Sequence, residues 1–239
     1  MDNRNNNRII NDDLNINNRS TRMPVIFCME VLDTATMRNF DIAYKRIENY
    51  ILNHEELKYE VQLAKIFFGT KSVVERKLID MDKQSEDGEI ERPEYSSSPA
   101  LGDCLIEAIT QIKTLECKQN TIGLSNHKPN IILFASGNYK DDDTMLQAIS
   151  KIKSIKRANE VSIIPFVSAN SNNSVDGQKL LEAISTVGQA FKFDEYGDAN
   201  IDRLFDVLCK SMERMSTSSN DAYDSLIAAS PVEIEDFKN

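Results

Sequence analysis

The sequence predicts a doubly wound α/β domain, in which a mostly parallel sheet of about six strands carries helices on both faces and one antiparallel strand at an edge. Apolar runs of strand length alternate with segments whose apolar residues recur at helical spacing. The runs are nearly unbroken, as in parallel strands that are covered on both faces. Only residues 69–71 separate two of the runs, and so short a connection predicts an antiparallel hairpin.

The first half of the chain is predicted to form three strands and two helices. Residues 25–32 are an apolar run, and the polar residues that follow lead into helical spacing from Phe40 to Ile51. Residues 61–68 and 72–79 form the hairpin. The polar stretch that follows is rich in serine and contains glycine and proline, so it predicts a long exposed loop, after which helical spacing resumes at Leu101.

The second half continues the alternation of strands and helices. After a polar loop over 118–130, strands are predicted at 130–135, 161–167 and 190–193. The helices between and after them are marked by apolar residues up to Ile152, around Ile184 and Val187, and from Ile201 to Met212. The folded domain is predicted to span 23–215.

The two ends of the chain differ in composition from the domain. Residues 1–22 are rich in asparagine and poor in apolar residues, so we predict a disordered arm. Residues 216–239 are polar and acidic, and we predict a flexible tail. Within this tail, residues 231–237 combine acidic and apolar side chains, a pattern that leaves open an unstructured terminus or a short peptide that docks on another surface.

Charge and apolar patterning narrow the possible partners and compartment. The formal net charge of −10 disfavours binding to nucleic acid or to an anionic membrane, because both require a basic surface. No apolar run is long enough to span a bilayer, and the first residues do not read as a signal peptide. The four cysteines lack Cys-x-x-Cys spacing, which predicts reduced thiols. We therefore expect a cytoplasmic protein.

Several segments in serial order resemble the von Willebrand factor A (vWA) domain, in particular its bacterial tellurium-resistance TerY-like branch. Arg22-Met23-Pro24-Val25 is similar to that branch's Arg-Leu-Pro-Val entry to the first strand, and Pro99-Ala100-Leu101-Gly102 is similar to its Thr-Pro-Leu-Gly helix start. The run from Ile131 to Gly137 stands where the family has an apolar strand that ends in Thr-Asp-Gly. The resemblance covers roughly residues 22–215 and implies a vWA/Rossmann-like fold.

The resemblance also implies a metal-ion-dependent adhesion site at the carboxyl end of the sheet. The family's motif is Asp-x-Ser-x-Ser on the first loop, a threonine before the second helix and an aspartate after the fourth strand. Magnesium requires about six oxygen ligands, and such a site leaves one position for a partner's carboxylate. Open α/β sheets gather their binding loops at this edge.

This sequence departs from the family motif at each of its elements. If Asp33 takes the place of the first aspartate, the serine positions hold Ala35 and Met37; if Glu30 takes it, they hold Leu32 and Thr34. The threonine position falls on Pro99 or Ser98, and the last aspartate is replaced by Ser136. We therefore expect a degenerate site with no resident metal.

The leading hypothesis is a non-enzymatic protein–protein interaction module or scaffold, which the resemblance links to bacterial stress-response or phosphorylation-linked systems. It requires no cofactor, and its partner is another protein. The residues expected to contact the partner share the loops at the carboxyl edge, and they are Asp33, Thr34, Thr36, Ser98, Ser136 and Asp141.

Two alternatives remain open at the level of sequence. One is a magnesium-dependent adhesion module whose site is rebuilt from Glu30, Asp33, Ser98 and Asp142, although the acidic run 141–143 also suits a helix N-terminus. The other is a hydrolase that uses Ser136 or a carboxylate, for which no nucleophile–base pair is evident.

Overall fold

A computed structural model of the chain describes residues 21–80, 90–137, 139, 143–158, 160–168, 175–193 and 198–217. The strands are β1 Met23–Glu30, β2 Val61–Phe68, β3 Ser72–Asp80, β4 Asn130–Ala135, β5 Ser162–Ser168 and β6 Phe191–Phe193. The helices are α1 Thr34–Leu52, α2 Glu55–Glu60, α3 Leu101–Thr121, α4 Asp143–Ala158, α5 Val175–Ile184 and α6 Asp198–Thr217.

The six strands form one sheet in the order β3-β2-β1-β4-β5-β6. Every neighbouring pair is parallel except β2 and β3, so the antiparallel strand lies at an edge as predicted. The chain moves outward from β1 to β2 and β3, and then returns to the other side of β1 at β4. The direction of winding therefore reverses between β1 and β4, which makes this pair the switch point of the sheet.

Two hydrophobic layers cover the sheet, one on each face. Val25, Phe27 and Met29 of β1 pack with α1, α2 and α6, whereas Ile26 and Cys28 pack with α3, α4 and α5. All eight residues of β1 are buried, which explains why its sequence is apolar from Met23 to Met29, before it ends in Glu30. The predicted doubly wound α/β fold is confirmed.

The largest differences from the sequence prediction lie at element ends. The first strand begins and ends two residues earlier than predicted, and the short helix α2 was not predicted. Helix α3 continues to Thr121 because its last turns still bury Gln119, so the prediction of a loop from 118 was wrong there. Helix α5 ends at Ile184, before Val187, and α6 reaches Thr217.

Most of the two flanking segments lies outside the described residues, namely residues 1–20 of the predicted arm and residues 218–239 of the predicted tail. Arg22, which the sequence prediction placed in the arm, is fully buried. The four cysteines carry no disulfide, and Cys117 alone among them is exposed. No helix in the described ranges is long and apolar enough to cross a bilayer.

A buried polar network closes the edge of the sheet where the parallel strands begin. The Nε of Arg22 lies 3.5 Å from the Oδ1 of Asp80, and its guanidinium also donates to the carbonyl oxygen of Tyr59. The amide nitrogen of Gln62 donates to the same Asp80 oxygen at 2.7 Å, and Gln119 donates to Gln62 at 3.2 Å. This network joins the entry to β1 with the end of β3 and with α3.

The edge strand β3 is irregular. Ile66 pairs with Val74 but Lys65 pairs with Arg76, so β3 holds one more residue than β2 over this interval, and a second register shift follows. Such bulges bend an edge strand and change which way its side chains point. As a result the adjacent Glu75 and Arg76 both form ion pairs on the α1 face, with Lys65 and Glu48 respectively.

Candidate functional site: the carboxyl rim of the sheet

The candidate site lies where β1 and β4 end, at the switch point of the sheet. In open α/β sheets this crevice is the usual position for a ligand. Here Met29 pairs with Phe134, so Glu30, one residue further along β1, lies close to Ser136, which directly follows the end of β4. We use "the rim" for residues 30–36, 95–99, 136, 137 and 139.

The crevice is bridged by hydrogen bonds between Glu30 and Ser136. The Ser136 hydroxyl donates to Oε1 of Glu30 and the Ser136 backbone N–H donates to Oε2, each at 2.6 Å. Glu30 is 1% exposed and Ser136 is 7% exposed. Each carboxylate oxygen is therefore satisfied by the protein in a position that water barely reaches, and a buried carboxylate needs such donors.

Tyr139 completes this cluster. Its hydroxyl oxygen accepts a hydrogen bond from the N–H of Gly137 at 3.0 Å. Burial, and then the negative charge of Glu30, raise the pKa of Tyr139 well above its ordinary value. The phenol is therefore neutral at physiological pH and places its hydroxyl beside the Glu30–Ser136 pair.

Asp33 is occupied at the start of α1. Its Oδ1 accepts from the N–H groups of Ala35 and Thr36 at 2.9 and 3.1 Å, and its Oδ2 accepts from the Thr36 hydroxyl at 2.6 Å. Partial burial works to raise the pKa of Asp33, but the hydrogen bonds from Thr36 and Ala35 prevail and lower it. Asp33 is thus an ionised N-cap of α1, the structural role that an aspartate fills best.

The loop from Glu94 to Ala100 forms the other side of the rim. It is joined to the β2–β3 turn by hydrogen bonds from the Thr70 N–H to the Glu94 carbonyl at 2.9 Å and from the Ala100 N–H to the Gly69 carbonyl at 2.8 Å. A Cβ at Gly69 would lie 2.0 Å from the Glu94 oxygen, so this close approach requires glycine. The loop then presents Tyr95, which is 62% exposed, to solvent.

The predicted partner-binding residues divide into an exposed group and a buried group. Asp33, Thr34 and Ser98 are exposed on the rim. Thr36 is fully buried and supports Asp33, and Ser136 is buried against Glu30, so neither side chain is open to a partner. Asp141 lies outside the described residues.

The structure does not assemble the rebuilt metal site from the residues that it describes. Glu30 accepts hydrogen bonds from Ser136, Asp33 caps α1, and the backbone N–H of Ser98 donates to the Ser96 hydroxyl at 3.1 Å. Asp142 lies outside the described residues. Across the described ranges no three acidic, histidine or cysteine side chains are grouped closely enough to hold a metal ion.

Two rim residues escaped the sequence prediction. Tyr139 follows the Ser136-Gly137 turn, but nothing in its spacing marks it as a neighbour of Glu30. Tyr95 lies in a polar loop, and its large aromatic ring was the sequence feature that could have identified it as a candidate contact residue. The contact between Glu30 and Ser136 joins residues 106 positions apart, and only the pairing of β1 with β4 reveals it.

Comparison with known proteins supports the fold at low sequence identity. No protein-family model matches the sequence, and no curated protein matches it significantly. Among solved structures, proximal thread matrix protein 1 from the mussel byssus aligns with a TM-score of 0.54 and 13% identity, over 80% of this chain and 46% of that protein. A von Willebrand factor type A protein from Catenulispora acidiphila gives a TM-score of 0.53 and 14% identity, over 84% and 43%.

A third structure matches along nearly its whole length. The vWF domain of the type V pili tip protein Mfa5 from Porphyromonas gingivalis has a TM-score of 0.53 and 7% identity, over 84% of this chain and 98% of that domain. The chain spans less than half the length of the mussel and Catenulispora proteins. These alignments, together with the strand order and the two helical layers, show that the chain has the α/β fold of von Willebrand factor A domains.

Proposed function

We propose that this domain is a non-enzymatic protein-interaction module that binds a partner protein at the rim without a resident metal ion. The observation that carries the proposal is the pair of 2.6 Å hydrogen bonds by which Ser136 satisfies Glu30 at the switch point. A partner bound there meets a surface that is already closed by protein donors.

The chemistry of the rim argues against a magnesium-bridged mechanism. Magnesium prefers about six oxygens in octahedral array and keeps an open position for the partner's carboxylate. The two candidate anchors, Glu30 and Asp33, already accept hydrogen bonds from Ser136, Ala35 and Thr36. Binding of a cation would first have to break these bonds, which supports recognition by shape and side-chain contacts.

The exposed part of the rim supplies a contact surface for the proposed partner. Tyr95 offers a large exposed aromatic side chain at the same edge of the sheet as the exposed Thr34, Ser98 and Asp33. Tyrosine is enriched among the residues that dominate binding energy at protein interfaces, and small polar neighbours help to exclude water around it. We therefore infer that Tyr95 is the main apolar anchor.

The wider role that we propose is a scaffold in the cytoplasm, similar to the TerY-like branch that the sequence resembles. That branch is associated with bacterial stress-response systems that include kinases and phosphatases. The net charge of −10 supports a protein partner in preference to nucleic acid or an anionic membrane surface.

Affinity capture with the full chain as bait tests the proposal. A partner recovered by the parent chain should be lost with Tyr95→Asp or Thr34→Arg, since both changes alter exposed rim side chains and leave the core untouched. Its recovery should be the same in EDTA and in millimolar magnesium. Lys153→Glu, on the exposed surface of α4, is the matched control and should retain the partner.

Two results would contradict the proposal. If EDTA abolishes capture and magnesium restores it, the partner is bridged by a metal ion and the adhesion-module alternative is correct. If the rim variants retain a partner that Lys153→Glu loses, the binding surface lies on α4.

A further inference from the structure

A shallow groove lies between the edge strand β3 and helix α3, on the face of the sheet opposite α1 and away from the rim. Its volume is about 290 Å³, near the lower limit of roughly 300–1,000 Å³ that is usual for small-molecule sites. Its lining combines aliphatic, basic and other polar residues. We use "the floor" for Val74, Leu78 and Leu115; the other lining residues are Ile79 at the open edge, the exposed Lys77 and Lys118, and Glu107, Thr110, Gln111 and Thr114.

An exposed aliphatic residue lies beside this groove at the open edge of the sheet. Ile79 is 38% exposed and pairs with Leu63 of the α1-face layer, whereas Leu78 beside it in β3 and Leu115 of α3 belong to the opposite layer and are 8% and 6% exposed. An apolar strip at the open edge of a sheet is a hazard for association unless something covers it.

The groove does not suit the addition of another regular strand to β3. The N–H of Leu78 already donates to the side-chain oxygen of Gln111 at 3.0 Å, and Gln111 in turn donates to Glu107 at 3.2 Å. Two register shifts also interrupt β3. An occupant must therefore bind mainly through side chains, with apolar groups on the floor and acidic groups at the lysines.

We propose that the occupant is residues 231–237 of this same chain, Pro-Val-Glu-Ile-Glu-Asp-Phe. Val232, Ile234 and Phe237 supply apolar groups for the floor of the groove. Glu233 and Glu235 alternate with the first two of them and supply the carboxylates for Lys77 and Lys118.

The composition of this segment distinguishes it from the other acidic segment near the groove. Residues 81–89, which directly follow β3, are also acidic, but Met81 is the one large apolar residue among them. The aliphatic Val74, Leu78 and Leu115, with Ile79 at the edge, favour an occupant with several apolar side chains, which residues 231–237 provide and residues 81–89 do not.

The position at which α6 ends allows this contact within one molecule. The Ser216 hydroxyl donates to Glu60 at 2.5 Å, so α6 ends at the edge of the sheet where β2 begins. Gln62 pairs there with Asp80, the last residue of β3, beside the groove. Residues 218–230 join the two places and can extend over about 40 Å, which is ample for neighbouring parts of one sheet edge.

A segment bound in this way acts as a tethered ligand of its own domain. A short tether supplies an effective concentration on the order of 1 mM, so a segment with a dissociation constant of about 0.1 mM is bound about 90% of the time. The groove is then covered, and any external partner has to displace the segment.

Fluorescence of the full chain tests this proposal, because the chain contains no tryptophan. Phe237→Trp places a single indole in the segment, and a free peptide of residues 228–239 with the same change is the reference. We expect blue-shifted emission in the full chain and acrylamide quenching up to about tenfold weaker than in the peptide, because only about 10% of the segment is free when about 90% is bound.

Charge reversal identifies the surface that protects the indole. In the Phe237→Trp chain, Lys77→Glu combined with Lys118→Glu should raise quenching to the level of the free peptide. Adding Glu233→Lys and Glu235→Lys should then restore protection. The circular dichroism melting curves of these variants should match that of the Phe237→Trp chain. Each substitution replaces one charged side chain with another, and both lysines are exposed on the domain.

A matched control on α4 separates the groove from the other exposed basic surface. The double variant Lys153→Glu and Arg157→Glu reverses the same number of positive charges as the groove variant, and it should leave the indole protected. Loss of protection in this control but not in the groove variant would overturn the assignment of the groove. Quenching equal to that of the free peptide in the parent chain, or protection that depends on protein concentration, would overturn intramolecular docking.

Discussion

Lys65 provides a direct test of the electrostatics on the α1 face of the sheet. It is 6% exposed in the middle of β2, where its ammonium group forms an ion pair with Glu75 and lies 3.6 Å from Oδ1 of Asp41. The same group lies 4.4 Å from the ring centre of Tyr44. Burial, together with the positive charge of Arg92, outweighs these favourable contacts and lowers the pKa of Lys65 to about 8.

The lowered pKa predicts how stability depends on pH. Below pH 8 the amine is protonated in both the folded and the unfolded chain, and its burial opposes folding. Between about pH 8 and 10.5 the folded chain loses the proton first, so the unfolded chain binds more protons and the free energy of unfolding rises with pH. The full contribution is about 3 kcal/mol, of which about 2 kcal/mol appears between pH 7 and 9.5.

Urea unfolding of the parent chain and of Lys65→Met at pH 7 and 9.5 measures this term. From pH 7 to pH 9.5, the free energy of unfolding should rise by about 2 kcal/mol more in the parent than in the variant. Cys209 acts in the opposite direction, because burial raises its pKa to about 12 and stability is lost as the pH rises past the ordinary thiol value. That contribution is common to both proteins and cancels in the comparison.

The exposed Lys153 supplies the control. Lys153→Met should keep the pH dependence of the parent, because that side chain is exposed on α4. If Lys65→Met and the parent show the same change between pH 7 and 9.5, the amine is not held in a desolvated site and the reasoning about this cluster is wrong.

Three further substitutions probe the edges and the rim of the sheet, each by urea unfolding. Arg22→Met should cost about 3–5 kcal/mol, because it leaves Asp80 buried without its guanidinium partner; a cost below about 1 kcal/mol would contradict this. Gly177→Ala would place a methyl group 1.5 Å from a backbone carbonyl oxygen and should cost about 1–3 kcal/mol, whereas an unchanged midpoint would rule out that close approach. Ser136→Ala removes a hydroxyl donor from the buried Glu30 and should cost about 1–3 kcal/mol, and a neutral effect would show that the Glu30 side chain does not depend on it.

The fold was largely predictable because burial imposes a pattern on the sequence. Every residue of β1, β2 and β4 is buried, so these strands appear as short, mainly apolar runs, which Gln62 and Lys65 interrupt in β2. The turn at 69–71 admits only an antiparallel connection, which determined the direction of β3.

Features that depend on contacts between distant residues were not predictable in the same way. Arg22 appeared to belong to a polar arm, and its burial follows from Asp80 and Gln62, which lie far along the chain. The bulges of β3 bring Glu75 and Arg76 to one face, although a regular strand would point them to opposite faces. Local sequence propensity predicts neither the burial of Arg22 nor the bulges of β3.

The rim shows why substitutions in a motif had to be interpreted in three dimensions. Taken separately, glutamate at position 30 and serine at position 136 indicate only a departure from the aspartates that the resemblance leads one to expect at this edge. Together they form a donor–acceptor pair, since a serine supplies both a hydroxyl and a backbone N–H to the longer carboxylate side chain. Two aspartates at the same strand ends would repel each other unless a cation lay between them. Replacing one acid with a hydrogen-bond donor removes that repulsion, and this physical change supports a metal-independent rim.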